Sequence, residues 1–364
     1  MPKLGRFIAI GLLLVSRTVF CQEIGDDKKR AAPSLSETAG MPALFRTPET
    51  GLGLGAVIIY TKDTSVRKPS PIISGLMYTE KKQLLWATGT KQNFDNGNFA
   101  FFGYFELTKF PQKYYGVGNN TRLADEEVYQ ENRVALEFGG ETKVYRSLSL
   151  GLKLLGQRDT HDQFESQGMF SRNEVSGQQG GHQRGFQGFL FWDTADDNFY
   201  PSKGSKITLA YINYLDELGS EYPYDGIKLD ARIYRQLTSQ TILATQVYVQ
   251  GLNQNPPFYQ LGQLGGNDLL RGYFKGRYRD RKLTVLHSEL RQSISKYWRV
   301  VAFGGFGNVH RDWDQYTLDN LKPAYGAGLR YQITTKQKLN LRLDVGIGEP
   351  KEGPQVYLYV MEAF

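Results

Sequence analysis

From about residue 41 to Phe364 the chain alternates apolar and polar residues with a period of two, broken by turns. That pattern requires strands, because successive side chains on a strand point to opposite faces. In 143–154, Val144, Leu148, Leu150, Leu152 and Leu154 share one face. Lys143, Tyr145, Ser147, Ser149 and Lys153 share the other. Ile227, Leu229, Ala231 and Ile233 likewise oppose Lys228, Asp230 and Arg232. Leu339, Leu341, Leu343, Val345 and Ile347 oppose Asn340, Arg342 and Asp344. A soluble sandwich would turn the apolar face inward and a membrane barrel would turn it outward. Alternation alone leaves that choice open.

Strand number and length narrow it. The pattern predicts sixteen strands near 41–48, 51–61, 70–79, 82–92, 97–108, 126–138, 142–158, 179–193, 203–215, 223–237, 240–251, 280–293, 297–308, 324–333, 337–346 and 354–364. Many exceed the five or six residues usual in soluble strands and match the roughly nine to eleven of membrane strands. Even-numbered connections are mostly short, as at Asp95-Asn96-Gly97, Gly139–Glu141 and Thr238–Ser239. Odd ones include the longest, near 109–125, 159–178, 252–279 and 309–323. Short periplasmic turns alternating with long extracellular loops are a barrel pattern, and an even strand count puts both ends in the periplasm. Composition agrees: 40 Gly, 23 Tyr and 21 Phe suit close strand approach and interfacial girdles. Trp192, Tyr200, Tyr211 and Trp298 read as girdle residues. Mean hydropathy is −0.45, which argues against helical spans but not against a barrel, whose lumen and loops are polar.

The first 40 residues read differently. Lys3 and Arg6 precede an apolar stretch, Phe7–Val15, too short to span a bilayer but suited to secretion. The reading is a signal peptide over 1–21, a flexible periplasmic linker over 22–40 and a barrel domain over 41–364. Cys21, the single cysteine, is either removed or lipidated; Thr18-Val19-Phe20 is a poor lipoprotein pattern.

Enzymatic signatures are missing. His161, His182, His287 and His310 are dispersed, without metal spacing. His287-Ser288-Glu289 cannot act as a triad on a strand, since Ser288 points away from its neighbours. There is no Gly-x-Ser-x-Gly and no phosphate-cradling glycine loop. The net charge of +7 is spread along the chain, which gives nucleic-acid binding no support. No cofactor is expected.

Two motifs carry a family resemblance. In the longest connection, Leu270-Arg271-Gly272-Tyr273 resembles the Arg-Gly-aromatic loop of the BamA/TamA family. At the fourth periplasmic turn, Asp193, Asn198, Pro201 and Gly204 resemble the family's Asp-x-x-Asn-x-x-Pro-x-x-Gly turn. Weaker likenesses lie in Tyr115–Asn119, Pro48–Gly53 and the ending Glu362-Ala363-Phe364, whose aromatic Phe364 resembles an assembly signal. The resemblance spans about 41–364. It implies a sixteen-stranded antiparallel outer-membrane barrel, monomeric, whose sixth extracellular loop folds into the lumen. It also implies contact with outer-membrane lipid and lipopolysaccharide, and with client or periplasmic accessory proteins. The implied work is assembly, insertion or translocation of other chains; the alternative is a passive pore or structural barrel. A weak seam is expected between the last strand and a short first strand that contains Pro42.

Two departures stand out. The family's Phe-x-Asp-x-Gly on the thirteenth strand reads Phe303-Gly304-Gly305-Phe306-Gly307 here, with Gly305 in the acidic position. Glu289 and Asp344 are the candidate replacements that would pair with Arg271, each on a strand face with other polar residues. The family's periplasmic POTRA domains also have no room between residue 21 and the first strand, so a barrel-only member is expected.

Overall fold

The computed structural model describes residues 37–61, 71–94, 97–162, 168–170, 175–333, 338 and 340–364. The expected signal peptide, Cys21 and most of the expected linker lie outside them.

The described residues form eighteen strands. The first eight are β1 (Glu37–Thr47), β2 (Gly51–Thr61), β3 (Pro71–Thr79), β4 (Leu84–Phe94), β5 (Phe99–Tyr114), β6 (Glu127–Tyr145), β7 (Leu148–Asp162) and β8 (Gly180–Asp193). Next come β9 (Gly204–Tyr214), β10 (Tyr224–Gln236), β11 (Thr241–Leu252), β12 (Gly262–Leu264) and β13 (Tyr278–Asp280). The last are β14 (Lys282–Ser293), β15 (Trp298–His310), β16 (Lys322–Gln332), β17 (Asn340–Ile347) and β18 (Gln355–Val360). Sixteen of them close into one antiparallel barrel in chain order, while β12 and β13 form a separate two-stranded hairpin within the β11–β14 connection.

The barrel turns its apolar faces outward. Leu150, Leu152 and Leu154 are 49%, 54% and 58% exposed, while Ser149 and Lys153 on the alternate face are buried in the lumen. Ile227, Ile233, Leu343 and Val345 also face out, and Asp344 faces in. An apolar band around a closed wall is stable only against lipid. No helix among the described residues is long and apolar enough to cross a membrane.

Several boundaries differ from the sequence reading. The expected turn at Gly139–Glu141 lies inside β6, which runs to Tyr145, and the chain turns at Arg146 and Ser147 instead. A Cβ on Gly139 would stand 2.2 Å from the Leu152 carbonyl oxygen and 2.8 Å from the Phe102 ring. This glycine permits close packing on a strand; it does not make a turn. β1 begins at Glu37, inside the span read as linker, and has eleven residues, so the first strand is not short. At the other end β18 stops at Val360, Met361 takes φ +79°, and Phe364 leaves the wall for the lumen. Its ring lies 4.4 Å from His287 and packs with Tyr234 and Ala244. Phe364 therefore lies beyond the strand, which was expected to run over 354–364. Tyr200 is also no girdle residue: it is buried, with Arg291 and Arg299 at 5.6 and 4.7 Å from its ring. Tyr211 and Trp298 are exposed on the outer face.

Candidate functional site

The β11–β14 connection, the sixth extracellular loop, turns into the barrel. β12 and β13 pair from Gly262–Asp280 to Leu264–Tyr278 and form its stem. At the tip Leu270 takes φ +73° and Gly272 φ +119°. The second value suits glycine, and a Cβ there would lie 2.7 Å from the Ile347 carbonyl carbon. Gly346 and Gly348 on the facing wall are equally constrained: a Cβ on either would come within 3 Å of Gly272 or Tyr273. Three glycines thus allow two backbones to touch. The Gly272 N–H donates to the Tyr357 hydroxyl at 3.0 Å, and the Tyr273 hydroxyl donates to the Pro323 carbonyl at 2.8 Å. Leu264, Leu270, Tyr273 and Tyr278 pack with Leu283, Val285, Val309 and Ala324 of the wall.

This contact delivers Arg271 into a buried ionic cluster. Its guanidinium bridges Glu289 on β14 and Asp344 on β17, and stacks 3.8 Å from the centre of the Phe303 ring. Glu289 also accepts from Arg291 Nε at 2.8 Å. Asp344 pairs with Arg330, whose Nε reaches Glu362 at 2.7 Å. Arg342 lies 3.6 Å from Asp344 and donates to Asn267 of the loop. Among the described residues four guanidiniums face three carboxylates, all sealed from solvent. Sealed charges must be paired, since desolvation costs several kcal/mol per ion.

Gly305, the position where the family motif carries an acid, has no space for one. A Cβ there would stand 2.4 Å from both His287 Cβ and the Leu286 carbonyl oxygen. His287 fills the place and meets Gln246 at 2.8 Å. Ser288 meets Thr245 on the opposite face, away from His287 and Glu289.

A second layer lies nearer the extracellular rim. Arg277 pairs with Glu349 at 3.1 Å and Glu352 at 2.7 Å, and donates to Thr121. Burial, against the attraction of Arg277, leaves the Glu352 carboxyl above its ordinary pKa. Gly118 N–H donates to the Arg279 carbonyl at 2.8 Å, so the segment Tyr115–Asn119 docks on β13. Lys275 N–H donates to Glu49 at 2.8 Å in the β1–β2 turn. The sequence did not single out Arg277, Arg279 or Arg330, and it placed Arg291 and Arg342 only as neighbours of Glu289 and Asp344 on their strand faces. Strand parity puts the last three on the lumen face, but only the closed barrel shows what they meet.

The periplasmic turn is separate from this cluster. Asp193 accepts from Ala195 N–H at 3.0 Å, and Gly204 takes φ +96°, where a Cβ would lie 2.2 Å from the Thr194 carbonyl. Pro201 is buried and Asn198 is exposed. Two residues outside the motif organise the turn. Asp197 accepts from Phe199 and Tyr200, and Asp196 accepts from the N–H groups of Ser202 at 2.8 Å and Lys203 at 3.2 Å. Partial burial works against the Asp196 charge, but these bonds and that from Ser202 Oγ outweigh it and hold its pKa below the ordinary value.

The Omp85 superfamily domain matches residues 75–351. Among solved structures, BamA from Haemophilus ducreyi lacking POTRA domains 1–3 aligns at TM-score 0.62 and 15% identity, over 90% of this chain and 70% of that one. CdiB from Acinetobacter baumannii aligns at TM-score 0.60 and 11% identity, over 91% and 60%. CdiB from Escherichia coli aligns at 0.61 and 13%, over 91% and 63%. The chain thus spans less than two thirds of either CdiB, and these likenesses are of fold. No curated protein matches the chain.

Proposed function

The chain belongs to the Omp85 superfamily and is an outer-membrane β-barrel, and from that premise we propose that it assists insertion or translocation of other polypeptides at the seam between β1 and β18. One observation supports this reading above the rest. β1 aligns with β2 over eleven residue pairs but with β18 at one, Arg46 opposite Leu358. β18 in turn holds β17 over six pairs. Every other junction of the wall is an extended ladder, so the closure is the place where strands part at least cost. Pro42 has no N–H to add to it.

An underpaired edge templates another strand through its free N–H and C=O groups. A client strand would pair there as it enters the bilayer, and the loop-six cluster would keep the lumen shut meanwhile. Its partners in this reading are lipid, lipopolysaccharide, client chains and any periplasmic accessory protein that delivers them.

The test is a reversible lock. Arg46→Cys with Leu358→Cys puts two thiols on directly opposed strand positions, within disulfide range. Oxidised protein in liposomes is expected to lose its acceleration of client-barrel insertion, and reduction is expected to restore it. Equal acceleration in both forms would remove the seam from the mechanism. No acceleration in either would make this a passive or structural barrel.

A further inference from the structure

A group of side chains on the β6–β7 wall takes no part in the loop-six cluster. The strand register sets Glu131 opposite His161 and Arg133 opposite Asp159. Period two turns all four to the lumen face, near the extracellular end of β7. Glu131, Asp159 and His161 are each more than nine-tenths buried. One ligand atom from each lies within 4.8 Å of the other two.

The histidine gives the direction. His161 Nδ1 is 2.9 Å from the Gln178 carbonyl oxygen, which can only accept, so Nδ1 carries the proton. In the neutral ring Nε2 then holds a lone pair, and it is buried with no hydrogen-bond partner. A buried acceptor left unmatched is costly, and an imidazole whose far nitrogen donates to a carbonyl is oriented as metal-bound histidines are. Rings of Tyr129, Phe258 and Tyr259 stand 5.0–5.2 Å from it and fix its plane.

The carboxylates are oriented too. Asp159 accepts from Arg133 Nε at 2.6 Å and from Gln157 Nε2 at 2.5 Å, two of roughly four lone-pair positions. Glu131 meets Arg133 only at 3.3 Å. Glu106 adds a third carboxylate within electrostatic reach of Arg133, with Lys275 of loop six the next cation acting on Glu131. Three carboxyl groups, Glu131, Asp159 and Glu106, thus gather about Arg133.

We infer that Glu131, Asp159 and His161 bind one divalent cation of the zinc type, with a fourth position open to water. One nitrogen and two oxygen donors suit zinc; calcium would need six to eight oxygens. Corners of a tetrahedral site with bonds of about 2.0–2.2 Å lie roughly 3.4 Å apart, so the three groups close inward on binding. The long Arg133–Glu131 contact is the one released. The site lies beneath Phe258 and Tyr259, so the ion would join the β6–β7 wall where loop six rests on it.

The test uses the full chain folded in detergent, stripped with a chelator and titrated with zinc against a fluorescent zinc indicator. Heat-modifiable migration on SDS gels reports whether each variant is folded. One equivalent is expected to bind. His161→Gln is expected to weaken it about tenfold or more, and Arg133→Gln, which removes the competing cation, to tighten it. Cobalt in place of zinc should give a visible ligand-field band in wild type that His161→Gln abolishes. Should His161→Gln fail to fold, Glu131→Gln is read against the same expectations. No saturable equivalent in folded wild type, or unchanged affinity in these variants, overturns the site.

Discussion

Arg271 makes no exposed contact through which water could replace its partners: its side chain and those of Glu289 and Asp344 are fully buried. Removing one member of such a group strands the others, a loss of about 3–5 kcal/mol where it has been measured. Arg271→Ala is therefore expected to lower stability by about that much in urea titrations in detergent micelles. It should also expose 262–277 to added protease. Arg271→Lys keeps the charge but not the two-pronged geometry, and should recover only part of the loss. The backbone contact makes an independent demand. Gly346→Ala would put a methyl 2.9 Å from Gly272 N, so it should loosen the loop while every charge is retained.

At the scale of the element, glycines of one strand are not interchangeable. Gly139→Ala meets the Leu152 carbonyl and the Phe102 ring, whereas the nearest atom to a Cβ on Gly140 is 3.4 Å away. Gly139→Ala should cost about 1–3 kcal/mol by the same titration, and Gly140→Ala should cost much less. The sequence read Gly139–Glu141 as a turn because glycine pairs mark both turns and places where strands crowd. Only the neighbouring strand tells them apart. The parity of β14 and β17 was legible, which is how Glu289 and Asp344 could be named beside Arg271. What was not legible is that loop six reaches strands on both sides of the closure, because such partners depend on register summed around the whole wall. Tyr200 was misread for the same reason: its partners Arg291 and Arg299 lie on β14 and β15. The periplasmic turn carries its own pH dependence. The Asp196 pKa is lowered in the fold, so its contribution is complete above the unfolded value of about 3.9 and is lost as pH falls through the lower folded one. Amide exchange over 194–204 should accelerate in that acid window, and Asp196→Asn should remove the dependence.

For the whole molecule, the membership in the family and the closed barrel fix where the protein works, and the contents of its lumen bear on what passes. Deleting about 262–277 takes away Arg271, its backbone contact and the Arg277 layer together. In planar bilayers the deletion is expected to open a large conductance where wild type shows little. Equal, large conductance in both would mean that loop six does not seal the lumen.

Loop six also has attachments on the two sides of the closure. Lys275 holds Glu49 in the β1–β2 turn, while Arg271, Gly272 and Arg277 hold Asp344, Tyr357, Glu349 and Glu352 on and beside β17 and β18. In mechanical terms the closure is two springs in parallel. One is a soft backbone hinge with a single aligned pair, and the other is a stiff side-chain tether that spans it near the outer rim. Pulled apart from the periplasmic edge, the wall would peel freely and then meet rising resistance, so the gap would widen as a wedge with its apex at the cell surface.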